Sequence, residues 1–166
     1  MTSVCGVAKN KWYIAGLHFE CQACGNCCSG PDHGYIWVTK PEINFIARFL
    51  KIPVPELKKK FLKRYTLKFS IIEADTTNDC IFLQNKPGKK TCKIYPVRPN
   101  QCRTWPFWPI NLSGPDKWNQ ATVKCPGINR GKPYSCDEIQ MLKKQKNWWI
   151  DAKQQCSSHS KSKRNI

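Results

Sequence analysis

Apolar residues recur at intervals of three and four after Thr39, as they do on the buried face of a helix. We predict a helix over 41–51, because Thr39 and Glu42 form a capping-box pattern at its start. The face expected to be buried consists of Ile43, Ile46, Ala47 and Leu50. The Pro-Val-Pro sequence at 53–55 ends this helix, and the pattern predicts a second amphipathic helix over 55–64.

Short runs rich in β-branched and aromatic residues predict strands. They lie at 35–38 (YIWV), from Leu67 onward (LKFSII), and in the runs CIFLQ and TCKIY on either side of NKPGKK. The Pro87-Gly88 dipeptide is a strong turn signal. We therefore predict that the last two runs form a hairpin, with Cys80 and Cys92 at or near its outer ends.

The rest of the chain predicts little regular structure. The stretch PVRPNQCRTWPFWPI leaves room only for a helical turn at 99–103, and NLSGPDKWNQ is predicted to be a loop. A second capping box, which begins at Ser135, predicts a helix that ends near Lys153. The polar, basic segment 157–166 is expected to be a disordered tail. These elements predict a small, loop-rich α+β single domain over 1–156 with about three helices.

The composition adds a strong positive charge to this picture. The 166 residues include 28 Lys and Arg against 11 Asp and Glu, a net charge of +17. Such a surface suits an acidic protein or a nucleic acid as partner, or is simply a solvated basic surface. The N-terminal run WYIAGL is too short for the apolar core of a signal peptide, and no stretch is long and apolar enough to span a membrane. A cytoplasmic location without a membrane partner is therefore expected.

Cysteine is the main chemical signal. The chain contains 11 cysteines, an odd number that excludes complete internal pairing. Four of them lie within CQACGNCC, namely Cys21, Cys24, Cys27 and Cys28. The C-x2-C spacing lets a turn aim two sulfurs at one metal ion, and thiols in the cytosol stay reduced, which favours metal over disulfides. The adjacent pair Cys27 and Cys28 predicts two neighbouring centres, or one centre and a spare thiol.

Four cysteines further along the chain complete the candidate set. A remote ligand is expected at Cys125, which precedes Pro-Gly, and three more come from the hairpin and the loop after it. The candidate metal ligands, which would suffice for two four-cysteine sites, are Cys21, Cys24, Cys27, Cys28, Cys80, Cys92, Cys102 and Cys125. Buried inert thiols and disulfides are the alternatives for this set. The remaining Cys5, Cys136 and Cys156 are expected to be bystanders.

The cysteines and their surroundings resemble a known family. The pieces CQACGNCC, GYIWVT, CIFL, CKIY, RPNQCRTWPFW and CPG follow one another over 19–127 and resemble the YkgJ-type cysteine-cluster family, a zinc- or iron-chelating domain. The resemblance implies that the eight cysteines named above are the ligands of a metal cofactor. It leaves open whether that cofactor is zinc or an iron–sulfur cluster, because both accept four thiolates.

Several residues near these cysteines are candidates for supporting roles. Arg98 and Arg103 flank Cys102, and their charges would offset the negative charge of a thiolate centre. The TWPFWP stretch would either shield the centre from water or belong to the core. With so many thiols available, His18 and His33 are expected to lie on the surface or to support ligands rather than to bind metal.

The sequence predicts a metal-binding protein whose cellular role is open. No glycine-rich phosphate loop, G-x-S-x-G or H-E-x-x-H motif is present, so the sequence makes no prediction about enzymatic activity. Two alternatives to simple metal binding stay open. One is a nucleic-acid-binding module in which zinc is only a scaffold, and the other is a redox or protein-modifying enzyme that uses an iron–sulfur cluster.

Overall fold

Short antiparallel strands and short helices make up the structure, a computed structural model that describes residues 11–145. The fold is mixed α+β, as predicted, but the described residues contain five helices and not about three. The strands are β1 (Leu17–Phe19), β2 (Ile36–Val38), β3 (Leu62–Tyr65), β4 (Lys68–Ile71), β5 (Leu83–Lys86), β6 (Lys89–Cys92) and β7 (Ile128–Tyr134). The helices are α1 (Lys40–Leu50), α2 (Val54–Phe61), α3 (Asn100–Arg103), α4 (Pro115–Thr122) and α5 (Cys136–Lys144).

The first core lies between helices α1 and α2 and the three-stranded sheet β2-β4-β3. In this sheet Ile36, Ile71 and Leu62 lie side by side and face the helices. The predicted capping box is present: the Glu42 carboxylate accepts the Thr39 amide at 2.7 Å, and the Thr39 hydroxyl accepts the Glu42 amide at 3.4 Å. Apolar spacing and capping therefore position α1 as the sequence predicts.

The second core is built mainly from aromatic side chains around the β1-β7 pair. In the ladder Phe19 is opposite Ile128. The Phe107 ring packs 5.8 Å from that of Phe19 and 5.6 Å from that of Trp118, measured between ring centroids. Cys136, at the start of α5, is buried in this core and is disulfide-bonded. This part of the fold was not predicted, because neither strand carries a regular alternation of apolar and polar residues.

Several predicted boundaries are wrong. The second helix ends at Phe61, not at 64, because the residues that follow pair with β4 as strand β3. The NLSGPDKWNQ stretch is not only a loop: helix α4 begins at Pro115 and buries Trp118. The β5-β6 hairpin is confirmed, with Cys92 at its end and Cys80 just before its first strand.

The remaining predictions concern the ends of the chain and the length of its helices. Helix α5 has the predicted capping box, whereas its predicted end near Lys153, the tail 157–166, Cys5 and Cys156 lie outside the described residues. Across residues 11–145, every helix is too short or too polar to cross a membrane.

Candidate metal centre

One cavity of about 270 Å³ lies between the two cores, and the side chains of eight cysteines line it. Its walls come from the CQACGNCC loop, the β5-β6 hairpin, helix α3 and the segment after α4. The cysteines are the eight named from the sequence: Cys21, Cys24, Cys27, Cys28, Cys80, Cys92, Cys102 and Cys125. All eight are free thiols. Cys136 is not part of this wall.

Two backbone hydrogen bonds hold the CQACGNCC loop at its ends. Before the loop, the Glu20 amide donates to the Gly127 carbonyl at 3.0 Å, which brings the loop start beside the segment that carries Cys125. At its end, the Cys80 amide donates to the Cys28 carbonyl at 2.8 Å. The loop therefore extends from one core to the other along the cavity.

Gly25 makes the turn within this loop possible. It precedes the 3-10 turn Asn26–Cys28 with a φ of 73°, in the left-handed region that favours glycine. A Cβ atom at this position would lie 2.6 Å from the Cβ of Lys90 in the hairpin. The Lys90 ammonium in turn donates to the Ser29 hydroxyl at 2.9 Å. The glycine therefore permits both the turn and the close approach of the hairpin.

Helix α3 positions Cys102 against the sheet. The Asn100 amide at its start donates to the Glu42 carboxylate at 2.7 Å, so the first turn of α1 and the first turn of α3 are linked. The Gln101 side chain accepts the Trp37 amide at 2.8 Å and donates to the Tyr35 carbonyl at 2.7 Å. Hydrogen bonds at Asn100 and Gln101, directly before Cys102, thus fix a helix that has only four residues.

The thiols surround a common space without converging on one point. The sulfurs of the neighbours Cys27 and Cys28 are 3.8 Å apart. Within the described part of the chain, no group of three or more His, Cys, Asp or Glu side chains already stands in a metal-ligating arrangement. The cavity therefore contains the donor atoms of a thiolate site in an open arrangement.

Contacts between the thiols change their acidity. The hydrogen bond with Cys28 lowers the pKa of Cys27 to about 7 and, together with burial, raises the pKa of Cys28. Burial raises the pKa of Cys80 to about 12. Burial and the nearby Cys80 also raise the pKa of Cys102. Cys28, Cys80 and Cys102 are thus neutral thiols near pH 7, and metal binding would displace their protons.

Arg98 and Lys124 both bring a positive charge to the cavity wall, and Arg98 acts on several of the thiols. The charge of Arg98 favours the thiolate forms of Cys27, Cys92 and Cys102. The guanidinium carbon lies 3.8 Å from the centre of the Tyr95 ring, which also lines the cavity. Arg103, the other predicted arginine, is exposed and does not line the cavity.

The two histidines lie away from the cavity, on the surface. The His18 ring is 2.9 Å from the Gly131 carbonyl, and the His33 ring is 3.1 Å from the Glu73 carboxylate. Both residues are exposed, and neither lines the cavity. Their placement agrees with the expectation that they are surface residues.

Three buried donor atoms belong to residues of the cavity wall: Thr91 Oγ1, Arg98 Nε and Trp105 Nε1. Each is shielded from solvent and has no hydrogen-bond partner among the described residues. An unsatisfied buried donor costs about 1–3 kcal/mol. Unpaired donors beside eight thiols fit an anionic metal–thiolate centre. Sequence analysis did not select Thr91, and it named Trp105 only as part of the TWPFWP stretch, in which Trp105 lines the cavity and Phe107 belongs to the second core.

Comparison with known proteins identifies a family. The sequence model of the CxxCxxCC family, described as "Putative zinc- or iron-chelating domain", matches residues 20–157. The chain belongs to this family. The resemblance seen in the cysteine pattern is therefore confirmed, and the CxxCxxCC assignment supports metal binding in general.

A relative of this CxxCxxCC protein is found in Methanocaldococcus jannaschii. An uncharacterized protein of Methanocaldococcus jannaschii is 37% identical over 95 residues, which are 57% of this chain and 48% of that relative. The match thus spans about half the length of this curated relative. No solved structure matches the chain.

Proposed function

We propose that this protein binds zinc or iron through the cysteine thiolates of the cavity between the two cores. The observation that carries the proposal is that eight cysteines, from segments as distant as 21–28 and Cys125, line one space. Scattered structural cysteines would be expected to be distributed over both cores instead. Membership of a family described as zinc- or iron-chelating supports the same conclusion.

The residues that would hold the metal are those that line the cavity with sulfur. Eight thiolates suffice for two four-coordinate zinc ions, or for one iron–sulfur cluster with thiols to spare. Bound zinc would supply structural cross-linking of the two cores, whereas an iron–sulfur cluster would supply one-electron chemistry. In both cases Arg98 lies where its charge offsets that of the thiolates.

Metal analysis of protein purified without oxygen tests this proposal. We expect at least one equivalent of zinc or iron per folded chain. Iron bound with sulfide would give a brown protein with visible charge-transfer absorption, and zinc would give a colourless one. Folded protein that contains neither element, and takes up neither when it is offered under reducing conditions, would overturn the proposal.

A second candidate function rests on the outer face of the β2-β4-β3 sheet. Because strand residues alternate between faces, Trp37 and Tyr65 lie on the face opposite Ile36 and Ile71, which line the cavity. The Tyr35 ring stacks on that of Trp37 with centroids 5.0 Å apart and planes 11° apart. Tyr35 is 52% exposed, so the face presents aromatic surface to solvent.

Positive charge surrounds these rings. The Lys63 ammonium is 5.5 Å from the centre of the Tyr65 ring, and that of Lys68 is 5.7 Å from the centre of the Trp37 ring. The three strands contain no Asp or Glu. Exposed rings with interspersed cations are typical of surfaces that bind single-stranded nucleic acid. We infer that this face, which we call the aromatic sheet face, binds a single strand while the metal centre stabilises the domain.

Binding of an unstructured oligonucleotide over a series of salt concentrations tests the second candidate. We expect binding that weakens with salt, and Tyr35→Ala should weaken it about 10-fold through loss of base stacking. Lys117→Ala is the surface control. Lys117 is exposed on α4, where its ammonium donates to the Gln120 side chain, and it does not belong to the aromatic sheet face. No binding at low salt, or equal loss in both variants, would remove this candidate.

A further inference from the structure

We propose that Thr91, Arg98 and Trp105 donate hydrogen bonds to the sulfur atoms of the bound metal centre and slow the loss of its metal. This inference rests on the proposed metal-binding function and assigns roles to residues that contribute no ligand. It concerns the hydroxyl of Thr91, Nε of Arg98 and the indole nitrogen of Trp105. All three residues line the cavity together with the eight cysteines.

The first step is the state of these donors in the protein without metal. None of the three atoms is reached by solvent, and none has a partner within the region 11–145. Other polar groups nearby are satisfied: the Thr104 hydroxyl donates to the Asn100 carbonyl at 3.0 Å, and the Trp108 indole donates to the Gln101 carbonyl at 3.1 Å. Among these residues, the donors without a partner are therefore the ones that line the cavity, whereas those outside the cavity wall have partners.

The second step is the chemistry of the missing acceptor. A neutral thiol is a weak acceptor, whereas a thiolate or an inorganic sulfide bound to a metal carries negative charge and accepts more strongly. Metal binding replaces thiol protons and so creates acceptors in the same space. Arg98 adds a full positive charge, and its stacking at 3.8 Å on the Tyr95 ring restricts where the guanidinium can lie.

The third step separates this role from ordinary packing. A side chain that only packs would stabilise the protein whether or not metal is bound. An unmet buried donor instead destabilises the metal-free protein, and it becomes favourable only when an acceptor arrives. Removing the donor while keeping the shape should therefore leave metal-free stability unchanged or higher, and should weaken metal retention. These two effects have opposite signs.

The test uses full-length protein that carries the metal with which it is purified, and measures metal loss to excess EDTA. We expect Thr91→Val and Trp105→Phe to lose metal about 10- to 100-fold faster, the usual effect of removing a partner that supports metal ligands. Arg98→Gln should behave in the same way. The matched controls change the same residue types at positions outside the cavity wall: Thr104→Val, Trp108→Phe and Arg103→Gln. They should stay within about twofold of wild type.

Urea unfolding of the metal-free proteins supplies the second measurement. Thr91→Val should be at least as stable as wild type, whereas Thr104→Val should be less stable because its hydroxyl has a partner. If Trp105→Phe does not fold, Thr91→Val decides, because valine and threonine have nearly the same shape.

The outcomes separate the two proposals. Wild-type protein that holds metal, together with wall variants that lose it no faster than their controls, would overturn this inference alone. Wild-type protein that binds no metal would overturn the proposed function and this inference together.

Discussion

The backbone amide of Cys80 donates a hydrogen bond of 2.8 Å to the carbonyl of Cys28. This bond joins the end of the CQACGNCC loop to the segment that leads into the β5-β6 hairpin. Cys80 is also buried, at 7% exposure, and packs in the first core. The position of this candidate ligand is therefore fixed both by the hydrogen bond and by packing in the core.

Cys80→Ser should reduce the metal content of the protein. The hydroxyl of serine is a much poorer ligand for zinc or iron than a thiolate, while the backbone bond to Cys28 is kept. We expect metal content to fall below half of the wild-type value per folded chain after gel filtration in the presence of EDTA. Ile139→Val is the control, because Ile139 is buried in the second core, away from the cavity. Equal metal content in Cys80→Ser and wild type would exclude Cys80 as a ligand.

Gly25→Ala should destabilise the protein more than Gly88→Ala. Both glycines have positive φ, 73° and 71°, so both substitutions carry the strain of a left-handed conformation. Only Gly25 faces a close neighbour, the Cβ of Lys90 at 2.6 Å, whereas nothing lies within 4 Å of a Cβ on Gly88. We expect an additional loss of about 1–3 kcal/mol in the free energy of unfolding for Gly25→Ala. If urea titrations gave the same loss of unfolding free energy for both variants, the hairpin would move away from the added Cβ atom without a measurable cost.

Glu42→Ala should affect two helices at once. The Glu42 carboxylate accepts the amides of Thr39 and Asn100, at the starts of α1 and α3. Loss of both bonds should lower the free energy of unfolding by about 2 kcal/mol. Glu138→Ala is the control, because Glu138 makes the same capping box with Ser135 in α5. A smaller loss for Glu42→Ala than for Glu138→Ala would contradict the link between α1 and α3.

Metal binding should release protons, and metal affinity should fall as the pH is lowered. Burial raises the pKa of Cys80 to about 12 and also raises that of Cys102, so both carry protons at pH 7 in the metal-free protein. Because the bound form carries fewer protons, the apparent affinity should decrease about tenfold per pH unit for each proton displaced. Competition with a chromophoric chelator between pH 6 and pH 8 measures this slope. An affinity independent of pH would argue against thiolate ligands.

The sequence predicts local features better than long-range contacts. The capping boxes at Thr39 and Ser135 are read directly because their residues lie three positions apart. Helix α4 was missed because its polar residues outweighed Pro115 and Asp116, which favour a helix start. The pairing of β1 with β7 was missed because Gly131 and Pro133 interrupt the pattern of β7.

The same limit applies to the candidate site. Cysteine spacing predicts which thiols can bind metal, but it does not predict which part of the cavity wall each thiol belongs to. That depends on contacts such as the Glu20 amide with the Gly127 carbonyl, whose partners are far apart in the chain. The donor roles of Thr91 and Trp105 could not be predicted from the sequence, because whether a buried donor has a partner depends on the three-dimensional structure.

The pairing of β1 with β7 also bears on how the protein is made. While the chain emerges from the ribosome, β1 has no partner until the residues up to Tyr134 have been synthesised. The wall that carries Cys125 is likewise absent until that residue has been synthesised. An ion that arrived earlier would meet an incomplete pocket, so the architecture favours insertion after both walls are present.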